Sequence, residues 1–330
     1  MHKTIPAVLG AGSPIVDLLV SVDDSFLKSI AAATGGMELV DQAMIESLLQ
    51  KVSGKTTKAP GGSAGNTIFG LARLGVTVAF LGKVGKDADG DYYRSRLTAL
   101  GGKDSSFRFD SQAHTGRCVS MITPDSERTM RTDLGAASRM TAAEVMDADF
   151  ENIAHVHIEG YLLFVGDLAE KVLSTAKKHG CTVSLDLATF ELVKYKRDIL
   201  PGLLEKYVDI VFANEDEARE FCGNISPEQM AEKLGEYCGV AAVKLGREGS
   251  CIKDKNGIVR VPAELVKAVD TTGAGDLWQT GFLYGYLNGR PMADCARFGS
   301  IAAAEVVQVI GADIPEDRWK IIREKLEITG

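Results

Sequence analysis

The chain has 330 residues and a formal net charge of −8 at pH 7, with 45% hydrophobic and 25% charged residues. These proportions are typical of a soluble globular protein with a substantial core, built as one large α/β domain or two smaller ones. The negative charge argues against a nucleic-acid partner, because phosphate contacts need clustered Lys and Arg. An anionic ligand would therefore be bound by local features, such as backbone amides or bound cations.

The six cysteines are widely spaced, without a C-x-x-C pair. This spacing favours reduced thiols in a cytoplasmic protein over a metal site or a disulfide framework. His155 and His157 alternate within a strand-like run, and no third ligand has matching spacing, so we interpret them as structural. The N-terminus lacks a signal-peptide pattern, and no run approaches the ~18 apolar residues of a membrane span. The sequence therefore predicts a cytoplasmic protein with no membrane partner.

The chain begins with a predicted buried strand at 5–12 that ends in glycines. Gly10-x-Gly12 resembles the start of a dinucleotide-binding fingerprint, G-x-G-x-x-G. The third glycine is replaced by Ile at position 15, and a strand-like run follows instead of a helix. These departures argue against a nicotinamide-dependent dehydrogenase. No P-loop motif, G-x-x-x-x-G-K-[ST], occurs anywhere. The next strand, 15–22, contains Asp17, which lies either at a solvent-facing edge or in a polar site.

A glycine-rich stretch, 60–66, precedes a helix predicted at 67–74. Upstream, the pattern predicts a helix at 41–52 and a strand at 54–58. Gly61 and Gly62 would let a polar ligand approach the backbone closely, and Asn66 offers both a donor and an acceptor. A flexible connector is the alternative.

A hairpin follows a predicted strand at 76–83 and a predicted helix at 85–100. Its first strand is predicted at 118–123, and residues 128–131 return from a turn at 124–127. Arg128 lies at the start of the returning strand. A solvated hairpin end is the alternative to a functional position for this arginine.

The pattern becomes regular after residue 150 and predicts a parallel sheet with helices on both faces. The predicted strands are 153–159, 181–187, 208–213 and 240–245, and the predicted helices are 167–178, 192–205, 215–222 and 227–237. Ligands bind at the carboxyl ends of the strands in such sheets. Asp186, Asn214 and Gly246 follow strands and are expected at that edge.

Two segments at this edge allow two interpretations each. Asn214 and Glu217, three residues apart, could hold a hydrated Mg²⁺, but taken alone they favour a helix cap followed by first-turn acids. The turn from Lys244 through Gly246 to Gly249 fits either a nucleotide-binding edge or a hairpin.

Residues 270–289 read as a glycine-rich turn that opens a long apolar helix. Gly273 and Gly275 allow a tight turn, and the first amides of the helix lie at the positive end of its dipole, so the turn can bind an anion. Asp276 adds a carboxylate, which suggests phosphoryl transfer to a hydroxyl. An ordinary helix start is the alternative. A further helix is predicted at 292–309 and ends before Gly311.

Together these motifs resemble the ribokinase-like (PfkB) family of carbohydrate and nucleoside kinases, nearly from end to end. The most specific are Asp270-Thr-Thr-Gly-Ala-Gly-Asp276, Gly61-Gly62-x-x-x-Asn66 and Asn214-x-x-Glu217. The resemblance implies one domain over 1–330, with a three-layer α/β/α core and a mainly parallel sheet. It also implies a small β-sheet lid formed by about 13–60 and 105–131.

The resemblance assigns a role to each motif. Asp276 would be the base that accepts the proton of the acceptor hydroxyl, and Arg128 would reach the phosphates. The anion hole would be formed by the amides of Gly273, Ala274 and Gly275. The acceptor hydroxyls would be bound by Asp17, Gly61, Gly62 and Asn66. An aspartate of ordinary pKa, ~3.9, is a weak base for an alcohol, but it suffices because proton transfer can come late.

ATP and Mg²⁺ are the cofactors that the resemblance implies. Asn214 and Glu217 would hold Mg²⁺ largely through water. The nucleotide would contact Asn214, Lys244, Gly246 and Gly249. Asp270 and Thr272, with carbonyls near Gly311, match a loop that binds a monovalent cation such as K⁺ in some members.

The subgroup is read from the N-terminal motif, Gly10–Asp17, which looks like the G-x-P-x-x-D opening of adenosine kinases. Residues 23–27 and Arg128 favour the same subgroup. The alternatives are a sugar kinase of the fructose, ribose or 2-keto-3-deoxygluconate type, and a non-catalytic ligand-binding protein with the same fold. A homodimer through the lid is also expected. The base-stacking aromatic residue stays open among Phe107, Phe109, Tyr161, Phe164 and Phe190.

Overall fold

The structure, a computed structural model, describes residues 7–30, 36–52, 56–123 and 128–327. The beginning of the first predicted strand, residues 54–55 and the predicted turn at 124–127 lie outside the described residues.

Nine strands form the large sheet, which is mainly parallel as predicted. Their spatial order is Gly257–Val261 (β14), Ser250–Asp254 (β13), Val240–Lys244 (β12), Ile210–Asn214 (β11), Thr182–Asp186 (β10), His155–Glu159 (β9), Val8–Ala11 (β1), Val78–Gly85 (β5) and Phe107–Asp110 (β6). The pairs β12–β13 and β13–β14 are antiparallel, and all the others are parallel.

Helices cover both faces of this sheet, because alternate strand residues enter two separate cores. Val8 packs in one core and its neighbour Leu9 in the other. The first core is covered by Ser63–Arg73 (α3), Ala88–Ala99 (α4), Ala274–Leu287 (α10), Met292–Val306 (α11) and Glu316–Lys325 (α12). The second is covered by Leu168–Lys178 (α5), Phe190–Tyr195 (α6), Leu200–Tyr207 (α7), Glu215–Cys222 (α8) and Pro227–Leu234 (α9). The α/β/α layering is therefore confirmed.

A second sheet of five strands lies beside the first. Its order is Met37–Leu39 (β3), Arg128–Gly135 (β8), Thr115–Ile122 (β7), Ile15–Ser21 (β2) and Thr57–Gly61 (β4). The helices Asp24–Ser29 (α1) and Gln42–Lys51 (α2) connect its strands. The antiparallel β7–β8 pair is the predicted hairpin.

The segment that the sequence assigned to the lid, about 105–131, is divided between the two sheets. Phe107 pairs with Gly82 of β5 and stacks on Phe80 at 5.7 Å between ring centroids, so β6 belongs to the large sheet. At the other end, β8 continues to Gly135.

The predicted helix at 192–205 is two helices, because Pro201 lies in the first turn of α7, where its missing amide hydrogen is tolerated. Among the described residues, no helix combines the length and the hydropathy that a membrane crossing requires.

Candidate active site

The two glycine-rich turns meet at the carboxyl edge of the large sheet, although they are more than 200 residues apart. Ser63 Oγ donates to Asp276 Oδ1 at 2.8 Å, and Asn66 Nδ2 donates to Asp276 Oδ2 at 2.8 Å. The first turn of α3 therefore holds both oxygens of the carboxylate in the first turn of α10. The structure thus brings together the two motifs whose partnership the sequence could only suggest.

Gly273 is the N-cap of α10 and has a left-handed backbone, with φ of 70°. A Cβ at this position would lie 2.6 Å from Ala312 Cβ, so both conformation and packing require glycine. Within the described chain, no side chain caps the helix at this end. No side chain of the described residues therefore competes with an anion for the first amides of α10, although the Ala274 amide donates to the Thr271 carbonyl oxygen at 3.2 Å.

Burial raises the pKa of Asp276 to about 6, opposed by the hydrogen bond from Asn66. The charge of Asp186 raises it further, while Ser63 and Lys244 lower it. The expectation of an ordinary pKa was therefore wrong, because burial was not visible in the sequence. A carboxylate with this pKa is a stronger base and is still mostly ionised at pH 7.

Asp17 lies against the end of β4, whose last residue is Gly61 and which is followed by Gly62. A Cβ on Gly61 would overlap the Asp17 carboxylate, and a Cβ on Gly62, whose φ is 82°, would overlap the Ser13 carbonyl oxygen. Burial raises the pKa of Asp17 to about 7, which Arg128 opposes and Asp276 increases. Asp17, Arg128 and the two glycines therefore lie in a common polar region beside Asp276.

Arg128 is the first residue of β8, and its positive charge lowers the pKa of Asp17. Among the described residues, its buried Nη1 has no hydrogen-bond partner. A buried guanidinium nitrogen without an acceptor is costly, and an anionic group would satisfy it.

Lys244 ends β12 and lies beneath the glycine turn. Its Nζ is 3.0 Å from Asp186 Oδ1, and a Cβ on Gly275 would be 3.4 Å from the same nitrogen. Burial opposes its charge, but Asp186 and Glu217 raise the pKa of Lys244, so it remains cationic. Sequence reasoning had noted Asp186 at this edge but had not paired it with Lys244.

Asn214 and Glu217 form the helix cap that their spacing alone favoured. Asn214 Oδ1 accepts from the Glu217 amide at 2.9 Å, while Glu217 accepts from the Asn214 amide at 2.7 Å and from its Nδ2 at 2.6 Å. Burial raises the pKa of Glu217 to about 7, and Asp186 adds to this rise. Because both Glu217 oxygens are engaged, a metal ion would reach Glu217 through water. This arrangement fits a hydrated Mg²⁺, which needs few protein ligands.

A cavity of about 550 Å³ opens beside the glycine turn. Its lining combines Gly246 and Gly249 with the segment 263–268, with α10 and with α11, a helix that the sequence had not linked to a site. The lining includes Ala263, Leu265, Val266, Trp278, Ala303, Ala304 and Val307. Its size and apolar character are typical of a small-molecule site.

Asp270 ties its loop to the segment after α11. Its Oδ1 accepts from the amide and the hydroxyl of Thr272 at 2.9 and 2.6 Å, and its Oδ2 accepts from the Gly311 amide at 2.8 Å. The predicted cation loop thus brings the named residues together, and cation binding there stays a prediction.

The five candidate aromatic residues differ in how far they are buried. Phe107 belongs to the core, whereas Phe109, Phe164 and Phe190 are exposed. Tyr161 is half-buried; burial raises its pKa, as do Glu159 and other nearby carboxylates. Of these five, Tyr161 is therefore the one in the electrostatic surroundings of the site.

His155 and His157 have structural partners. The two rings share Ser184 Oγ at 2.8 and 2.9 Å, and His155 also bonds Thr182 Oγ1 at 2.8 Å. Burial lowers the pKa of both rings to about 3, so both are neutral at pH 7.

Comparison with known proteins agrees with this architecture. A family model described as pfkB family carbohydrate kinase matches residues 38–319. An adenosine kinase of Dictyostelium discoideum is 30% identical, over 95% of this chain and 98% of the relative. A probable sugar kinase from Rhizobium etli superposes with a TM-score of 0.88 at 32% identity, covering 99% of this chain and 100% of its own. The adenosine kinase from Sinorhizobium meliloti gives 0.87 at 33%, covering 98% and 100%.

The fold and these relatives define an ATP-dependent kinase whose acceptor is an alcohol group. The chain belongs to the pfkB family of carbohydrate kinases. The ribokinase-like fold that the sequence predicted is confirmed.

Proposed function

We propose that the chain transfers the γ-phosphoryl group of ATP to the hydroxymethyl group of an adenosine-like nucleoside, with Asp276 as the base. One observation carries the proposal: the Asp276 carboxylate is fixed by Ser63 and Asn66 at the uncapped N-terminus of α10. The base and the anion-binding amides are therefore adjacent, as transfer to a hydroxyl requires.

The acceptor would bind between Asp17 and the glycine pair, Gly61 and Gly62. The absence of Cβ atoms leaves the backbone accessible to sugar hydroxyls, and the Asp17 carboxylate can accept from two of them. Asn66 would contact the acceptor from the same turn that holds Asp276. Proton transfer from the hydroxymethyl group to Asp276 then accompanies attack on the phosphorus atom.

The nucleotide would occupy the 550 Å³ cavity, with its phosphates directed to the glycine turn. Gly246 and Gly249 would line the base and ribose. The amides of Gly273, Ala274 and Gly275 would stabilise the transferred group, and Lys244 beneath them would add a fixed positive charge. Arg128 would approach the phosphates from β8 on the opposite side.

Mg²⁺ would accompany ATP because the site is rich in negative charge. Asp186, Glu217 and Asp276 all lie close to Lys244, and their negative charges would repel phosphates that carried no cation. Asn214 and Glu217 would hold the ion through water, and it would neutralise phosphate charge. Asp270 and Thr272 would support a monovalent cation such as K⁺.

The choice of a nucleoside acceptor rests on the adenosine kinase relatives and on the Gly10–Asp17 opening. A sugar acceptor is the second candidate, because the Rhizobium etli neighbour is described as a probable sugar kinase. A non-catalytic binding protein would not need Asp276 held by two donors, so this alternative is weaker.

The smaller sheet would act as a lid that closes over the acceptor and limits hydrolysis of ATP. Its outer face would form a homodimer, and the protein would act in the cytoplasm.

A phosphorylation screen tests the acceptor, with adenosine, other nucleosides, ribose, fructose and 2-keto-3-deoxygluconate compared at equal concentration. We expect kcat/KM to be highest for adenosine. A higher value for any sugar would replace the nucleoside assignment, and no turnover of any acceptor would favour the binding protein.

A further inference from the structure

Glu159 is a buried carboxylate at the last residue of β9 and is only 1% exposed. Within the described chain, no Lys or Arg forms an ion pair with it. Its partners are two backbone amides from distant segments: Oε1 accepts from Ser13 at 2.8 Å, and Oε2 accepts from Ala64 at 3.0 Å. Both oxygens of Glu159 are therefore engaged by the fold.

The Ala64 amide lies in the first turn of α3, where backbone donors have no partner within the helix. The N-cap of this helix is Gly62, which has no side chain to offer. Glu159 thus supplies from the large sheet the cap that the helix lacks, and its negative charge suits the positive end of the helix. Gly12 leaves room for this contact, because a Cβ there would lie 2.5 Å from Glu159 Oε2.

The capped turn is the one that holds Asp276. Ser63 and Asn66 flank Ala64 in sequence, and each donates to one oxygen of that carboxylate. The second partner, Ser13, lies in the connection from β1 of the large sheet to β2 of the small sheet. One carboxylate therefore ties together the sheet edge, the connection between the sheets and the turn that holds the base.

We propose that Glu159 is a positioning residue, which fixes the first turn of α3 and through Ser63 and Asn66 sets the orientation of Asp276. This inference rests on the proposed function, in which Asp276 is the base. Burial raises the pKa of Glu159 to about 7, opposed by the amides of Ala64 and Ser13 and by the Ser13 side chain, while the charge of Asp276 raises it further. A carboxylate kept in such unfavourable surroundings is consistent with a geometric role.

The first variant is E159Q, which keeps the shape but turns an NH₂ donor toward one of the two amide donors. The second is G12A, which leaves Glu159 intact and displaces it from Ala64. In both we expect kcat to fall about 10- to 100-fold, because small misplacements of a reacting group have effects of this size. The KM for ATP should stay within about twofold, since the cavity is built by other segments.

A double-mutant cycle tests the route of the effect. In the S63A/N66A background, E159Q should lower kcat by less than about threefold, because the connection to Asp276 is already removed. An equal fold-loss in both backgrounds would overturn the positioning role.

The matched control is D87N. Asp87 also accepts from two amides of separate segments, Gly90 at 2.8 Å and Thr115 at 2.7 Å, but it caps α4 rather than α3. We expect D87N to leave kcat within about twofold. A loss equal to that of E159Q would show a general folding effect instead.

Hydrogen–deuterium exchange supplies a measurement that does not need turnover. Peptides covering Ser13 and Ala64 should exchange faster in E159Q, and unchanged protection would overturn the cap. Near-normal turnover of D276N would instead overturn the proposed function and the catalytic part of this inference. The exchange result would still decide whether Glu159 caps α3.

Discussion

The two glycine-rich helix starts differ in what satisfies their first amides. Both α3 and α10 have a glycine N-cap with positive φ, 82° at Gly62 and 70° at Gly273. At α3, the Glu159 carboxylate accepts from the Ala64 amide. At α10, the described chain provides no side-chain cap.

The difference distinguishes a helix start that binds a carboxylate of the protein from one that is open to an anion of a ligand. Both helix starts attract negative charge, since helix N-termini carry backbone donors without intrahelical partners and the positive end of the helix dipole. In α3 the protein fills the position itself and gains a rigid turn. In α10 the position is left for the phosphoryl group, according to the proposed function.

The largest expected effect comes from removing the base beside the open N-terminus. D276N keeps the shape and the helix but cannot accept a proton, so kcat should fall about 10²–10⁴-fold, the usual contribution of a general base. Steady-state kinetics would measure kcat, and calorimetric titration would check that ATP still binds. Turnover close to that of the unmodified enzyme would contradict the role of Asp276.

The second-largest loss of activity is expected for a substitution at the N-terminus of α10 itself. G273A forces an unfavourable backbone and meets Ala312, so the amides should be displaced and kcat should fall about 10²–10³-fold, as when one oxyanion donor is lost. G289A is the matched control: its φ is 68°, but a Cβ there meets nothing within 4 Å. Equal losses of kcat in the two variants would mean that backbone strain alone explains the effect.

The K244M variant tests the role of the positive charge that lies next to Gly275 at the start of α10. Loss of the lysine should raise the KM for ATP about tenfold or more, because a charge-assisted contact to phosphate disappears. Lys244 also lowers the pKa of Asp276, so the acidic limb of the rate profile should move to higher pH. Because K244M leaves Asp186 unpaired, K244M/D186N is measured beside it. An unchanged KM in both variants would place the phosphates elsewhere.

The smallest loss of activity is expected for S63A, which removes the hydrogen bond from Ser63 in α3 to Asp276 in α10. According to the proposed function, activity would need ionised Asp276, so it would be present above the Asp276 pKa of about 6 and lost as the pH falls through that value. Ser63 lowers this pKa, so S63A should shift the acidic limb of kcat/KM to higher pH. At pH 8 the loss should stay below about tenfold, the size of one hydrogen bond. The control is S174A, at a partly exposed serine on α5. A pH profile of S63A identical to that of the unmodified enzyme would contradict the expected shift.

The sequence predicted the parts of the fold that depend on local pattern. The alternation after residue 150 gave the central parallel strands, because apolar runs and helix signals are local properties. The strands β3, β6 and β14 were missed. They are short, and each depends on a pairing partner: β6, for example, forms by pairing with β5.

The site was predicted where a motif was local and missed where it was not. Asp276 and Asn66 follow from their glycine turns, although their hydrogen bond spans 210 residues. Glu159 was not identified, since its partners are 146 and 95 residues away. The pKa of Asp276 was misjudged for the same reason: burial is a property of the folded chain.

The group of carboxylates around the site has a consequence for ligand binding. Burial holds the pKa of Asp17 and Glu217 at about 7 and that of Asp276 at about 6. At pH 7 the Asp17 and Glu217 carboxyls of the free protein are therefore partly protonated, whereas Asp276 is mostly ionised. A nucleotide bound with a divalent cation at Glu217, as proposed, would favour the ionised form of that carboxyl, so binding would release protons into the medium. The heat measured by calorimetry will then vary with the ionisation enthalpy of the buffer.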